Sequence, residues 1–337
     1  MTMRKNKKLW IGLISSPIFL ALIFYNADLH RMKEALMTVN YIYLPLAVML
    51  SLVTNIFRSY RWKYALKPIR NIRALGLFPG IAIGYMVNNL LPARLGEFVR
   101  AYIVGKRENT SKSLILGTIV VERVFDGITL LCFLVTLSLF FSFPPWIKRV
   151  GIVASIFFMS AAVCLVFLTD QKTKVGQLIK KGIGLFSSLI AEKVGRLMDP
   201  FLSGLAVIKN KRNILLVFFF TAVVWLVEAM TYYIVGLSFS INLPIYVYLF
   251  VVITVNLGIM IPSAPGYVGT FEFFCMSVLA LFSIEKNIAL SFAIVLHAIL
   301  FIPITILGMI YFYKEDLSFS KINIQEPIPV RLRNPSQ

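Results

Sequence analysis

Eight charged residues stand where the surrounding sequence is apolar enough for lipid: Arg94, Arg100 and Arg123, with Glu97, Glu122, Asp126, Glu228 and Glu272. A charge at mid-bilayer costs about 2.5–3.5 kcal/mol on insertion scales, so such groups pair with one another or face a wet cavity. Arg94 and Glu97 are three apart, as are Arg123 and Asp126, so each pair can share a helix face. Glu122 points to a neighbouring face. The planar fork of arginine suits two oxygens of a phosphate. The chemistry these types offer is anion binding inside a membrane. A cavity lined by Arg94, Glu97, Arg123, Asp126 and Glu272 would take a phosphate-bearing headgroup. The plainer alternative is an internal salt-bridge network that pins its helices. Glu228, after Trp225 near the outer end of a span, reads as an interfacial or packing residue.

Two breaks must position these groups. Residues 88–97 read Asn-Asn-Leu-Leu-Pro-Ala-Arg-Leu-Gly-Glu, and residues 261–272 read Ile-Pro-Ser-Ala-Pro-Gly-Tyr-Val-Gly-Thr-Phe-Glu. Pro and Gly free backbone groups that lipid cannot satisfy, so protein or trapped water must cover them. Broken helices in corresponding halves point to a transport site. The expected tips are Asn88, Asn89, Pro92 and Gly96, then Pro262, Ser263, Pro265, Gly266 and Gly269. Asn88, Asn89 and Ser263 can hydrogen-bond the freed backbone, and a half-helix leaving each tip would aim its N–H groups at an anion. Tyr267 reads as packing, His297 as a satisfied internal group rather than a proton relay, and Pro303 as a kink.

Apolar blocks at about 9–26, 41–57, 74–105, 114–141, 147–168, 213–236, 244–283 and 288–313 are each long enough to enter a bilayer, 74–105 and 244–283 being interrupted. Lys and Arg number six in 58–73, three in 106–112 and nine in 170–212, against none in 237–243. The rich loops should face the cytoplasm. The fold expected is an all-α polytopic membrane protein with about six full spans and two re-entrant or broken hairpins, or eight spans if both interrupted blocks cross. Segments 41–141 and 213–313 then become inverted repeats, with both termini cytoplasmic. An alternative has two full spans at 244–261 and 266–283. A basic amphipathic helix over 173–205 would lie in the cytoplasmic interface within a linker at about 170–212. An uncleaved first helix suits Met1 to Phe24 better than a cleaved signal.

The composition excludes several classes. Of 337 residues 58% are hydrophobic and only 15% charged, with mean hydropathy +0.82. The net charge of +19 resides in short loops and one longer loop, which argues against nucleic acid. Cys132, Cys164 and Cys275 lack metal-type spacing and read as small buried hydrophobes. Trp10, Trp62, Trp146 and Trp225 sit near block ends, as interfacial aromatics do. No Asp-x-Asp pair, phosphate-binding Walker loop or Gly-x-Ser-x-Gly is present, so no catalytic residue, metal or cofactor is assigned. Competing with a translocase are an intramembrane transferase acting on a lipid-linked substrate and a non-catalytic membrane scaffold.

The runs Leu91-Pro92-Ala93-Arg94-Leu95-Gly96-Glu97, Glu122-Arg123-Val124-Phe125-Asp126 and Pro262 to Glu272 resemble the lysylphosphatidylglycerol synthase transmembrane region, also called the flippase-like domain. The resemblance covers about 9–313. It implies one integral membrane flippase-like domain over 1–313, with a cytoplasmic tail at 314–337 in a plasma-membrane protein. In the larger members a separate soluble domain makes the aminoacylated lipid, and the tail is too short to hold one, so aminoacyl transfer is not implied. The implied partners are membrane lipids with an anionic or phosphate-bearing headgroup. A partner enzyme of lipid or glycan synthesis, and an oligomer, are compatible with it.

Overall fold

The computed structural model describes residues 28–91, 94–140, 142–169, 197–260 and 264–315. The first apolar block, most of the amphipathic segment 173–205, Trp10, Pro92, Pro262, Ser263 and nearly all of the tail lie outside the described residues.

Long apolar runs with few breakers make helices, because a helix pairs its own backbone polar groups within one segment. Every regular element described is helical. A short helix α1 (Leu29–Met37) starts where Asp28 accepts from the N–H groups of His30 and Arg31. Then come α2 (Tyr43–Leu66), α3 (Ala74–Leu90), α4 (Gly96–Arg107), α5 (Lys112–Ser138) and α6 (Pro145–Thr169). The second half holds α7 (Lys211–Ser238), α8 (Ile245–Gly258), α9 (Thr270–Leu281) and α10 (Lys286–Lys314). Among the described residues three helices, α6, α7 and α10, are long and apolar enough to cross a membrane. Helices α2 and α5 are of similar length, 24 and 27 residues, but carry charges in mid-run. The protein is an all-α polytopic membrane protein.

Both interrupted blocks form pairs of short helices. Helices α4 and α9 have 12 residues each and α8 has 14. At about 1.5 Å per residue these span roughly 18–21 Å, short of a hydrocarbon core about 30 Å thick. In the second block the helix stops at Gly258, a single helical turn follows at Pro265–Tyr267, and the next helix starts at Thr270.

The halves interlock. Helix α2 packs along α7, and α10 packs along α3, so each half holds an element of the other. The turn Pro265–Tyr267 also touches α3, which brings the two tips together. Gly266 sits at φ 69°, and a Cβ there would come within 2.6 Å of the Phe301 ring and 3.3 Å of the Asn89 carbonyl. Pro303 inside α10 has no N–H, which frees the Ile299 carbonyl. The Ser51 hydroxyl, which donates to the Val48 carbonyl at 2.8 Å, lies 3.5 Å from that oxygen. The two largest apolar clusters among the described residues lie along the bundle. One gathers Trp62, Leu66, Ile115 and Ile119, the other Leu130, Leu134, Tyr232 and Phe250.

One element is longer than the sequence reading allows. The block 41–57 was expected to end before a basic loop, yet α2 runs on through Arg58 and Arg61 to Leu66. Charge alone ends an apolar block on paper. Here both arginines find carboxylates, so the helix continues until Pro68 approaches.

Candidate functional site

Helices α2, α4 and α5 converge on one carboxylate. Glu122, 1% exposed, accepts from Arg61 Nη2 at 2.6 Å and from Arg100 Nη1 and Nη2 through its two oxygens at 3.0 and 2.8 Å. Arg123 Nη2 adds a fourth contact at 3.0 Å. Arg61 also donates to Asp126. The Arg100 guanidinium lies 3.5 Å from the centre of the Trp62 ring, a cation–π contact that fixes its plane. Buried charges persist only when paired in this way.

Above this layer opens a cavity of about 370 Å³ between the two broken pairs. Arg58, Arg94, Arg123, Glu97, Asp126 and Glu228 supply its charged lining. Arg123 Nη1 lies 3.2 Å from Asp126 Oδ2, and its Nε lies 3.3 Å from Glu97 Oε1 without hydrogen-bond alignment. Arg58 Nη2 donates to Glu228 Oε2 at 2.6 Å. Arg94 differs. It has φ 52° just ahead of α4, donates from Nη2 to the Ile259 carbonyl at 3.2 Å, and lies 5.8 Å from the centre of the Tyr267 ring. Among the described residues no carboxylate pairs with it. The indole Nε1 of Trp225, another cavity residue, is buried and finds no described partner.

The tips are closed by their own side chains. Gly96 N–H donates to Asn88 Oδ1 at 2.8 Å, and a Cβ on Gly96 would sit 1.9 Å from the Gly84 carbonyl oxygen. Asn89 Nδ2 donates to Thr305 Oγ1 at 2.8 Å, tying α3 to α10. Gly269, at φ 88°, donates its N–H to Glu272 Oε2 at 2.7 Å. The other Glu272 oxygen lies 2.5 Å from His297 Nδ1.

These contacts place the expected residues. Arg94, Glu97, Arg123 and Asp126 come together in one cavity, with Asn88, Asn89 and Gly266 on its wall. Glu272 does not reach that wall; it sits behind His297, which does. Arg94 does not share a face with Glu97, because its left-handed backbone turns it toward the second tip while Glu97 faces Arg123. The half-helix N-termini do not offer free N–H groups at Gly96 and Gly269, since Asn88 and Glu272 occupy them. Glu228 and Trp225 are buried cavity residues rather than interfacial ones, and Trp62 is fully buried. Tyr267 lines the cavity. Cys275 is buried as expected, but Cys132 and Cys164 are exposed on helix faces. Arg58 and Arg61 were missed because they were counted as loop charges. Arg58 does have a signal in the spacing, since Ser51, Asn55, Arg58 and Ser59 make one polar stripe at helical steps. Among the described residues no His, Cys, Asp and Glu cluster is placed to hold a metal ion.

The family described as the lysylphosphatidylglycerol synthase TM region matches residues 9–308. The chain belongs to that family. This member is similar to a UPF0104 membrane protein of Methanocaldococcus jannaschii, 29% identical over 236 residues, covering 70% of this chain and 96% of that one. A second UPF0104 membrane protein of that organism is 24% identical over 319 residues, covering 91% and 94%. Glycosyltransferase AglD of Haloferax volcanii is 25% identical over 319 residues, covering 86% of this chain and 51% of AglD. No solved structure matches this family member significantly. Among the described residues the cavity offers fixed ion pairs as a scaffold, Arg94 as a cation without a carboxylate, and an aromatic wall.

Proposed function

We propose that this protein moves a lipid with an anionic, phosphate-bearing headgroup across the bilayer through the cavity between its two broken helix pairs. The observation that carries this reading is Arg94, the cavity guanidinium whose described contacts are a carbonyl oxygen and an aromatic ring rather than a carboxylate. Its neighbours Arg58 and Arg123 are already matched by Glu228, Glu97 and Asp126. A phosphate oxygen pair would complete the Arg94 fork. The volume falls at the small end of ligand pockets, roughly 300–1,000 Å³, which suits a headgroup rather than a whole lipid. Phe157 and Met260 line the cavity while being 55% and 40% exposed, so acyl chains can stay in the bilayer beside it. The family's own description names a phosphate-bearing lipid.

In this reading 41–141 and 213–313 are inverted repeats, the termini are cytoplasmic, and a partner enzyme makes or consumes the lipid. Glycosyl transfer, stated by the name of AglD, remains that protein's property. The carboxylates that line this cavity are all engaged with arginine, which favours binding over acid–base work.

Lipid retention by the purified protein tests the site. In native mass spectrometry the wild type should keep phosphatidylglycerol in preference to a neutral glycolipid of equal chain length. A hydrogen bond to a charged group is worth about 1.5–3 kcal/mol, so Arg94→Ala should lose about tenfold or more of that preference. Equal retention of both lipids by the wild type would refute the reading.

A further inference from the structure

His297 and Glu272 form a unit that the anion site does not use. Glu272 is 7% exposed and has both oxygens engaged, one on the Gly269 N–H at 2.7 Å and one on His297 Nδ1 at 2.5 Å. An ionised carboxylate only accepts, so Nδ1 carries the hydrogen and Nε2 is the nitrogen that can gain a proton. The imidazole is held between Phe271, stacked at 4.5 Å, and Phe301, edge-on at 5.8 Å, and it lines the cavity.

The elements packed around α10 bring few other charges to this ring. From α9 come Glu272 and the buried Cys275; from the second tip, Tyr267; from α3, Tyr85 with Asn88 and Asn89; from α2, Arg58; from α7, Glu228 and Tyr232. Helix α1, with His30, Arg31, Lys33 and Glu34, meets α10 at Ser291, whose hydroxyl donates to the Met32 carbonyl. Among the described residues only Glu272 makes a hydrogen bond or ion pair with His297.

The charges then balance in one way. Arg58 is matched by Glu228, and Arg61, Arg100 and Arg123 together by Glu97, Glu122 and Asp126. Arg94 and Glu272 remain, one without a carboxylate among the described residues and one whose ion partner is a histidine. With His297 neutral, the negative charge of Glu272 offsets Arg94 across the cavity. With His297 protonated, Glu272 is neutralised at close range and the positive charge of Arg94 stands alone. The two are also joined mechanically. Glu272 caps Gly269, and two residues before it the Tyr267 ring carries the Arg94 guanidinium at 5.8 Å.

We propose that His297 is a proton-binding site, and that the protein takes up a proton on His297 together with the lipid anion on Arg94. This rests on the anion-binding reading above and supplies it with an energy source, since a proton gradient would then drive the headgroup. Proton and anion enter as a neutral pair, which removes the cost of carrying net charge through the bilayer.

The test is calorimetric titration of the full-length protein in nanodiscs with dihexanoyl phosphatidylglycerol, a phosphodiester that does not titrate near neutrality. Two buffers of different ionisation enthalpy report the protons taken up. The wild type should take up about one proton per lipid between pH 7.5 and 8.5, read as a difference in binding heat between the two buffers. Its affinity should rise about tenfold per unit as pH falls from 8.5 to 7.5. His297→Gln should bind with no uptake and with pH-independent affinity. Binding without uptake by the wild type, or equal uptake by His297→Gln, overturns proton coupling and leaves the anion site standing. No binding of the lipid at any pH overturns both. The wild-type slope decides the matter even where the variant does not fold.

Discussion

Glu122→Gln should be among the most destabilising single changes in this protein. The carboxylate is 1% exposed and faces Arg61, Arg100 and Arg123 at 2.6 to 3.0 Å. Without its charge, Arg61 keeps Asp126, and Arg123 keeps Glu97 and Asp126. Arg100 keeps no carboxylate among the described residues and is 4% exposed. Removing one partner of a buried pair costs about 3–5 kcal/mol, chiefly by leaving the other charge uncompensated. The Trp62 face returns roughly 1–2 kcal/mol at most, and its contact already exists in the wild type. The loss should therefore be about 3 kcal/mol or more. Unfolding in mixed micelles of increasing dodecyl sulfate fraction would measure it. Adding Arg100→Gln should cost less than the two single changes summed, because each exposes the same broken pair. A Glu122→Gln protein that unfolds within about 1 kcal/mol of wild type would refute the claim that this layer holds the helices together.

Two further changes probe the frame around the cavity. Gly96→Ala puts a Cβ 1.9 Å from the Gly84 carbonyl oxygen, so α3 and α4 must separate; overpacking of this kind costs about 1–3 kcal/mol, and the same micelle titration would read it. Arg58→Met and Glu228→Met should each destabilise, while the double variant should recover most of the loss, since an apolar pair of similar volume often replaces a buried ion pair at little cost. Additive losses in the double variant would contradict the pairing of these two residues.

The breaks were legible in the sequence because Pro and Gly have no good use inside a lipid-spanning helix unless something else covers the backbone. They locate the ends of α3 and α8 and the starts of α4 and α9 closely. Arg123 and Asp126 were legible because i,i+3 spacing is a property of one helix. What lies between helices was not. Arg58 and Glu228 stand 170 positions apart and Arg61 and Asp126 65 apart, and no local pattern links them. Hydropathy also misreads a paired charge as an exposed one, which is why α2 was cut short at Arg58. Arg94 escaped its expected partner because its backbone adopts φ 52°, a local choice made by the packed tip rather than by residue type. Glu272 looked like a cavity group because it follows the second break at the right spacing. That same spacing from Gly269 makes it the cap of α9.

In the proposed mechanism Arg94 receives a phosphate headgroup on its way across the bilayer. The most direct measurement is translocation of a fluorescent phosphatidylglycerol in proteoliposomes of purified protein under an imposed pH gradient, wild type against Arg94→Ala. The wild type should transport the lipid, and Arg94→Ala should not, while still unfolding at the wild-type dodecyl sulfate fraction. Equal transport by a folded Arg94→Ala, or none by the wild type, would contradict this mechanism.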